Sequence, residues 1–219
     1  VVIDYLIQQH EAAIYIDNDI WFLQNARTIW HALNGAVMLL TPHDYPRNPN
    51  EAQNWLEANF RVGLYNAGFI GATNEAKDLL QWWAGCCAYR CEKNYWRGLF
   101  DDQKYLDLLP VMDPRVNISH NKALNIAAWN RVVRPRKMKD NRLMVGGREA
   151  VFIHFNPYTI REIVSGNDPL LKPFWEEYLK ALQVYNPAIR AIELYNRPSF
   201  IEQLKLSVWQ WLNRLNGTQ

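Results

Sequence analysis

The sequence predicts an α/β fold, a mixed sheet flanked by helices, from three observations. Helix-like and strand-like segments alternate along the chain, the strand-like ones are short apolar runs bounded by polar residues, glycine or proline, and 49% hydrophobic content over 219 residues suffices for one sizeable core. Residues 1–10, "VVIDYLIQQH", carry Val2, Ile3, Leu6 and Ile7 at helical spacing, and 13–16, "AIYI", reads as a buried parallel strand. Segment 26–34 reads as a helix closed by Gly35, and 36–41, "AVMLLT", as a second buried strand closed by Pro42. A helix over 51–60, a glycine-interrupted strand over 65–72 and a longer helix over 74–91 follow. "DDQKYLDLLP" predicts a short helix stopped by Pro110, and the stretch from there to about 150, rich in Asn, Arg and Lys, reads as irregular loop. "AVFIHF", 150–155, is the last clear strand; a polar, proline-punctuated connection leads to helices over 171–184 and 199–214.

A formal charge of +2 with a pI near 8.4 lacks the concentrated basic face that duplex nucleic acid requires, so nucleic acid is not an expected partner. No apolar run approaches the ~18 residues that cross a bilayer, and the first residues show no signal-peptide progression, which predicts a cytoplasmic protein. Cys86, Cys87 and Cys91 are odd in number and crowded, which suits reduced thiols, and no fourth ligand lies near enough in sequence to favour zinc. The chain opens with Val1 inside an apolar periodic segment with no cap signal, so the natural protein is expected to begin further upstream.

The first chemical signal is "YIDNDIWFL". On an extended strand, Asp17 and Asp19 would point to one side about 6 to 7 Å apart and share one ion; equally, Asp-Asn-Asp is a good turn tripeptide. In "GLYNAGFIGATN", the glycines at 63, 68 and 71 allow a ligand close to the backbone and Asn66 offers a donor and an acceptor, although a β-bulge would use the same residues. Asp101, Asp102 and Gln103 precede an amphipathic turn, where acids also suit a helix start. In "NIAAWN", Asn125 and Asn130 bracket Trp129, a grouping suited to a sugar face or to plain core. His154 sits inside the apolar run "VFIHF", as a ligand or as a satisfied core histidine, and the basic run Arg131 to Arg148 could cradle phosphate or be a solvated loop.

In order and content, "YIDNDIWFL", "YNAGFIGA", "DDQKYLDLL", "NIAAWN" and "FIHF" resemble the Asp-x-Asp, Asn-x-Gly, Asp-Gln, asparagine and late His-Phe motifs of the retaining, metal-dependent nucleotide-sugar glycosyltransferases of the GT-A fold, the family of glycogenin and the bacterial lipopolysaccharide galactosyltransferases. Bacterial members resemble it further in Thr41 to His43, "TPH", and the pair Trp82 and Trp83.

The resemblance implies that Asp17, Asp19 and His154 hold Mn2+ or Mg2+ against the diphosphate of a nucleotide-sugar donor, a UDP-sugar above all. It sets Asp102 and Gln103 beside the anomeric carbon as catalytic residues, and Asn66, Gly68, Asn125, Trp129 and Asn130 in the substrate pocket. The acceptor would be a glycan, a lipid-linked sugar or another hydroxyl compound. The likeness covers residues 1–185 as catalytic domain, with 186–219 as a helical extension suited to homo-oligomer or peripheral membrane contact. Relatives place a base-binding βα half well ahead of the Asp-x-Asp strand, whereas 16 residues precede Asp17 here, so the fold is expected to be incomplete at its N-terminus. That departure keeps a rival, a catalytically inactive glycosyltransferase-like binding or assembly module, and, more remotely, a metal-dependent phosphoester hydrolase.

Overall fold

A computed structural model describes residues 2–50 and 53–190. In chain order its elements are α1 (Val2–Ile7), β1 (Ala12–Ile16), β2 (Ile20–Phe22), α2 (Arg27–Ala32), β3 (Met38–Pro42), α3 (Gln53–Arg61), β4 (Tyr65–Thr73), α4 (Lys77–Tyr89), β5 (Lys93–Asn94), β6 (Leu99–Phe100), α5 (Leu109–Met112), β7 (Val116–Ile118), β8 (Arg136–Lys139), β9 (Arg142–Val145), β10 (Arg148–Glu149), β11 (Phe152–His154), α6 (Pro157–Val164) and α7 (Lys172–Tyr185). The architecture is mixed α/β. The central sheet runs β1-β4-β3-β7; β4 pairs antiparallel with β1 and β3, and β3 pairs parallel with β7.

Alternation along the strands sends side chains into two layers. Met38, Leu40, Ile70 and Ala72 meet Ile3 and Ile7 of α1, Leu79 and Leu80 of α4, and Leu106 and Leu109 on one side. Leu39 and Phe69 meet Ile29 of α2 and Leu33 just after it, with Leu124 and Phe152, on the other. Gly71 lies under α2 because a Cβ there would come within 3.0 Å of Leu33. The described residues up to Phe155 form one compact unit and those from Asn156 a second; the boundary expected at 185 is the last residue of α7, within the second.

Four expectations are corrected. The "AIYI" strand is not a buried parallel strand: β1 is an antiparallel edge strand with Tyr15 and Ile16 exposed, since among the described residues only β4 flanks it. Pro110 does not stop a helix. The backbone runs a 3-10 turn over Gln103–Leu108, and Pro110 then lies in the first turn of α5, where a missing N–H costs nothing. The stretch read as loop holds the meander β8-β9-β10, whose two-residue turns Asp140–Asn141 and Gly146–Gly147 all take positive φ, the requirement of a tight hairpin. The proline-punctuated connection contains α6, started by Asn156, whose Oδ1 accepts from Thr159 N–H at 2.8 Å, with Pro157 in the first turn. The helix expected over 199–214 lies outside the described residues.

Candidate metal centre

β1 ends at Ile16, and Asp17–Asn18–Asp19 turns the chain into β2. The extended-strand geometry is thereby replaced by a turn, which still presents both acids to one place because its backbone is pinned on two sides. Asp17 N–H donates to the Gly68 carbonyl of β4 at 2.8 Å, and the Asp19 carbonyl accepts from Phe155 N–H at 2.8 Å. β2 pairs with β11, so Ile20 stands opposite His154. His154 Nε2 lies 3.0 Å from Asp19 Oδ1 and 3.8 Å from Asp17 Oδ2, and one ligand atom from each residue falls within 4.8 Å of the others.

Gly68 forms the floor. A Cβ there would stand 2.6 Å from Asp17 Oδ2, 2.6 Å from His154 Cε1 and 2.9 Å from Asn66 Oδ1. A side chain at position 68 would therefore fill the space in which the ligand atoms converge.

Behind His154 runs a buried polar chain. His154 Nδ1 faces Asn125 Oδ1 at 3.3 Å. Asn125 Nδ2 donates to Thr41 Oγ1 at 3.0 Å and to Asn66 Oδ1 at 3.1 Å. Asn66 Nδ2 in turn reaches His43 Nε2 and Gln103 Oε1, each at 3.3 Å. His43 Nδ1 donates to the Gly63 carbonyl at 3.0 Å, and burial pushes the ring's pKa down to about 3, so it stays neutral. Asn125 holds its place in a left-handed conformation, φ 55°, with its carbonyl accepting from Asn130 Nδ2 at 2.8 Å. Its Oδ1 faces Nδ1 of His154, which leaves Nε2 as the ring nitrogen turned toward the two aspartates. Asp19 Oδ1, 3.0 Å from Nε2, is buried and has no hydrogen-bond partner.

A buried acceptor without a donor is costly, and a cation beside Asp19 Oδ1, shared with the more exposed Asp17, removes the cost. Two carboxylates with one imidazole suit a divalent first-row ion or magnesium, for which adjacent ligand atoms stand about 3 Å apart. The donor set, the Gly68 cradle and the orphaned Asp19 Oδ1 all fit such an ion.

Two more groups interact with this place, one by a hydrogen bond and one through its charge. Tyr15 O–H donates to Asp17 Oδ1 at 2.7 Å, and that bond, with burial and the charges of Asp17, Asp102 and Asp19, raises the phenol to about 12. The Asp102 carboxyl is raised by burial and by the negative charges of Asp101 and Asp17. Its backbone is held by Trp83, whose indole N–H donates to the Asp102 carbonyl at 2.8 Å, and by Asp101 in a left-handed conformation at φ 47°.

The structure thus brings Asp17, Asp19 and His154 together and joins Asn66, Gly68, Gln103, Asn125 and Asn130 to them through shared hydrogen bonds or contact. Asn125 and Asn130 are fully buried behind the site, and Trp129, 5% exposed, meets the rings of His43 and His154 edge-on rather than offering a face. The basic run places no free cation at position 134: Arg134 is buried, paired with Asp44 at 2.8 Å and bonded to the carbonyls of Pro42, Lys122 and Leu124, a clamp beside Asn125. Sequence reasoning missed Tyr15, the supporting roles of Thr41 and His43, and Arg134; the "TPH" triplet carried the only signal for the second of these.

No family model matches the chain. It is 27% identical over 150 residues to the uncharacterized protein YfnD of Bacillus subtilis (strain 168), a match that covers 67% of this chain and 46% of that protein. The chain therefore spans less than half the length of this relative. No helix among the described residues is long and apolar enough to cross a membrane.

Proposed function

We propose that the chain carries the catalytic portion of a retaining, metal-dependent glycosyltransferase of the GT-A fold, acting on a nucleotide-sugar donor, a UDP-sugar above all, and a glycan, lipid-linked or other hydroxyl acceptor. One observation supports this reading most: residues of five motifs, spread from Asp17 to His154, meet around one cluster of two carboxylates and an imidazole. Asp17, Asp19 and His154 would hold Mn2+ or Mg2+. When bound, such an ion supplies Lewis-acid stabilisation of a leaving diphosphate.

The chain's own groups do the rest. Asp102, held by Trp83 and facing the charge of Asp17, presents a carboxylate that favours an oxocarbenium-like sugar as the diphosphate departs. Tyr15 fixes Asp17 Oδ1 and leaves Oδ2 turned toward His154. Gly68 keeps the floor open.

The test is Mn2+-dependent hydrolysis or transfer across a panel of nucleotide sugars with the full chain, together with calorimetry of donor binding. Turnover that needs the metal is the expected result. Metal binding without binding of any donor would favour a non-catalytic module, and phosphoester hydrolysis without sugar release would favour a phosphoesterase.

A further inference from the structure

The sense of every amide in the chain behind His154 can be read from backbone groups that have no choice. The Ala67 N–H can only donate, and it donates to Gln103 Oε1 at 3.1 Å; the Val62 carbonyl can only accept, and it accepts from Gln103 Nε2 at 3.2 Å. The Gln103 amide is thereby fixed. Its Oε1 also accepts from Asn66 Nδ2, which leaves Asn66 Oδ1 as the acceptor for Asn125 Nδ2. His43 agrees from the other side, because the Gly63 carbonyl holds its proton on Nδ1 and Nε2 can then only accept from Asn66. Thr41 Oγ1, which also meets Asn125 Nδ2, is a hydroxyl that donates as readily as it accepts, so it does not choose. Asn66 does, and its choice puts the Asn125 oxygen against His154 Nδ1.

We propose that Gln103 and Asn66 are positioning residues that together hold the His154 proton on Nδ1 and keep Nε2 free for a cation, in place of the sugar contacts that the resemblance assigns to them. The inference rests on the metal reading of Asp17, Asp19 and His154. Gln103 is buried, both acceptor directions of its oxygen are taken by Asn66 and Ala67, and its nitrogen serves Val62, so little of its amide is left for a substrate. A ligand histidine held by its far nitrogen is the usual condition for firm metal binding, and loss of such support costs ~10–100-fold in affinity.

The experiment uses the metal-free full chain with 15N-labelled histidine. There are five histidines, and His154→Gln assigns the signal. At mildly alkaline pH the wild-type His154 shows the Nδ1–H tautomer. Asn66→Leu, which cuts both anchors at once, gives mixed tautomers and binds Mn2+ about 10-fold more weakly or worse. Gln103→Glu, which keeps the acceptor for Ala67 and Asn66 and gives up only the donor to the Val62 carbonyl, leaves the His154 signal as in the wild type. The proposal is overturned by a wild-type His154 protonated at Nε2 or at both nitrogens, by a folded Asn66→Leu with signal and affinity unchanged, or by Gln103→Glu altering the tautomer. Where Asn66→Leu does not fold, the wild type and Gln103→Glu decide. None of these readouts involves a sugar, so failure of every donor would remove the glycosyltransferase reading and leave this one standing.

Discussion

Two polar regions lie back to back around His154, and they obey opposite rules. On the Nδ1 side, from Asn125 through Asn66 to Gln103 and His43, donors meet acceptors in sequence down to backbone groups. On the Nε2 side, Asp17 Oδ2, Asp19 Oδ1 and the imidazole Nε2 converge, and Asp19 Oδ1 is buried with no hydrogen bond. Buried polar groups persist when satisfied, so the satisfied region is architecture and the unsatisfied one marks where something from outside belongs.

Breaking the Nε2 side has the largest expected effect. Asp17→Asn with Asp19→Asn brings Mn2+-dependent transfer down to background, while thermal melting stays at or above that of the wild type, because two converging charges are gone; a double variant that retains turnover would detach these acids from the chemistry. Gly68→Ala comes next. Its Cβ overlaps Asp17 Oδ2 and His154 Cε1, both at 2.6 Å, so metal affinity falls at least 10-fold and about 1–3 kcal/mol of stability is lost, read by calorimetry and denaturant unfolding.

Asp102→Asn separates activity from stability. A carboxyl whose folded pKa is raised binds its proton more tightly folded than unfolded, so the folded state loses stability as pH rises from the unfolded value through the folded one. The amide removes that burden. Turnover should collapse while the melting temperature at neutral pH rises slightly, and a fall in melting temperature would show the carboxylate to be structural.

On the satisfied side the effects are smaller. His43 is held neutral with its pKa pushed down from 6.5 to about 3, so below pH 6.5 the unfolded chain takes up a proton that the folded chain refuses. Stability therefore drops as pH falls from 6.5 toward 3, by up to about 1.4 kcal/mol per pH unit from this group. His43→Gln, which offers a donor and an acceptor but does not titrate, should flatten unfolding free energy against pH in that window; an unchanged slope would place the acid sensitivity elsewhere.

Much of the site was legible because its residues are chemically conspicuous. Two acids after an apolar strand, a histidine inside "VFIHF" and an asparagine two ahead of Gly68 each break the local pattern, and each lies in the cluster. The central strand β3 could be read because it is a continuous apolar run, and β4 because its asparagine and glycines interrupt a run that is otherwise core. What the sequence hid was direction and pairing. That β1 runs antiparallel at an edge depends on which strand it meets, not on its own residues. The β8-β9-β10 meander is built from four-residue and two-residue strands held by tertiary pairing, with Asp-Asn and Gly-Gly turns as its only local marks. Asn156–Pro157 was a helix start that looked like a helix stop, since proline serves both. Gln103 shows the deeper limit: its residue type and neighbours suggest contact with a substrate, and only its three hydrogen bonds reveal what it holds in place.

The most direct test of the account is a calorimetric titration of Mn2+ into the full chain, set beside the Asp17→Asn, Asp19→Asn double variant with melting curves for both. Saturable binding of one ion by the wild type, absent from an equally folded double variant, is the predicted result. Equal binding by the two, or none by the wild type, would contradict the central claim that the acceptors around Gly68 are gathered for a cation.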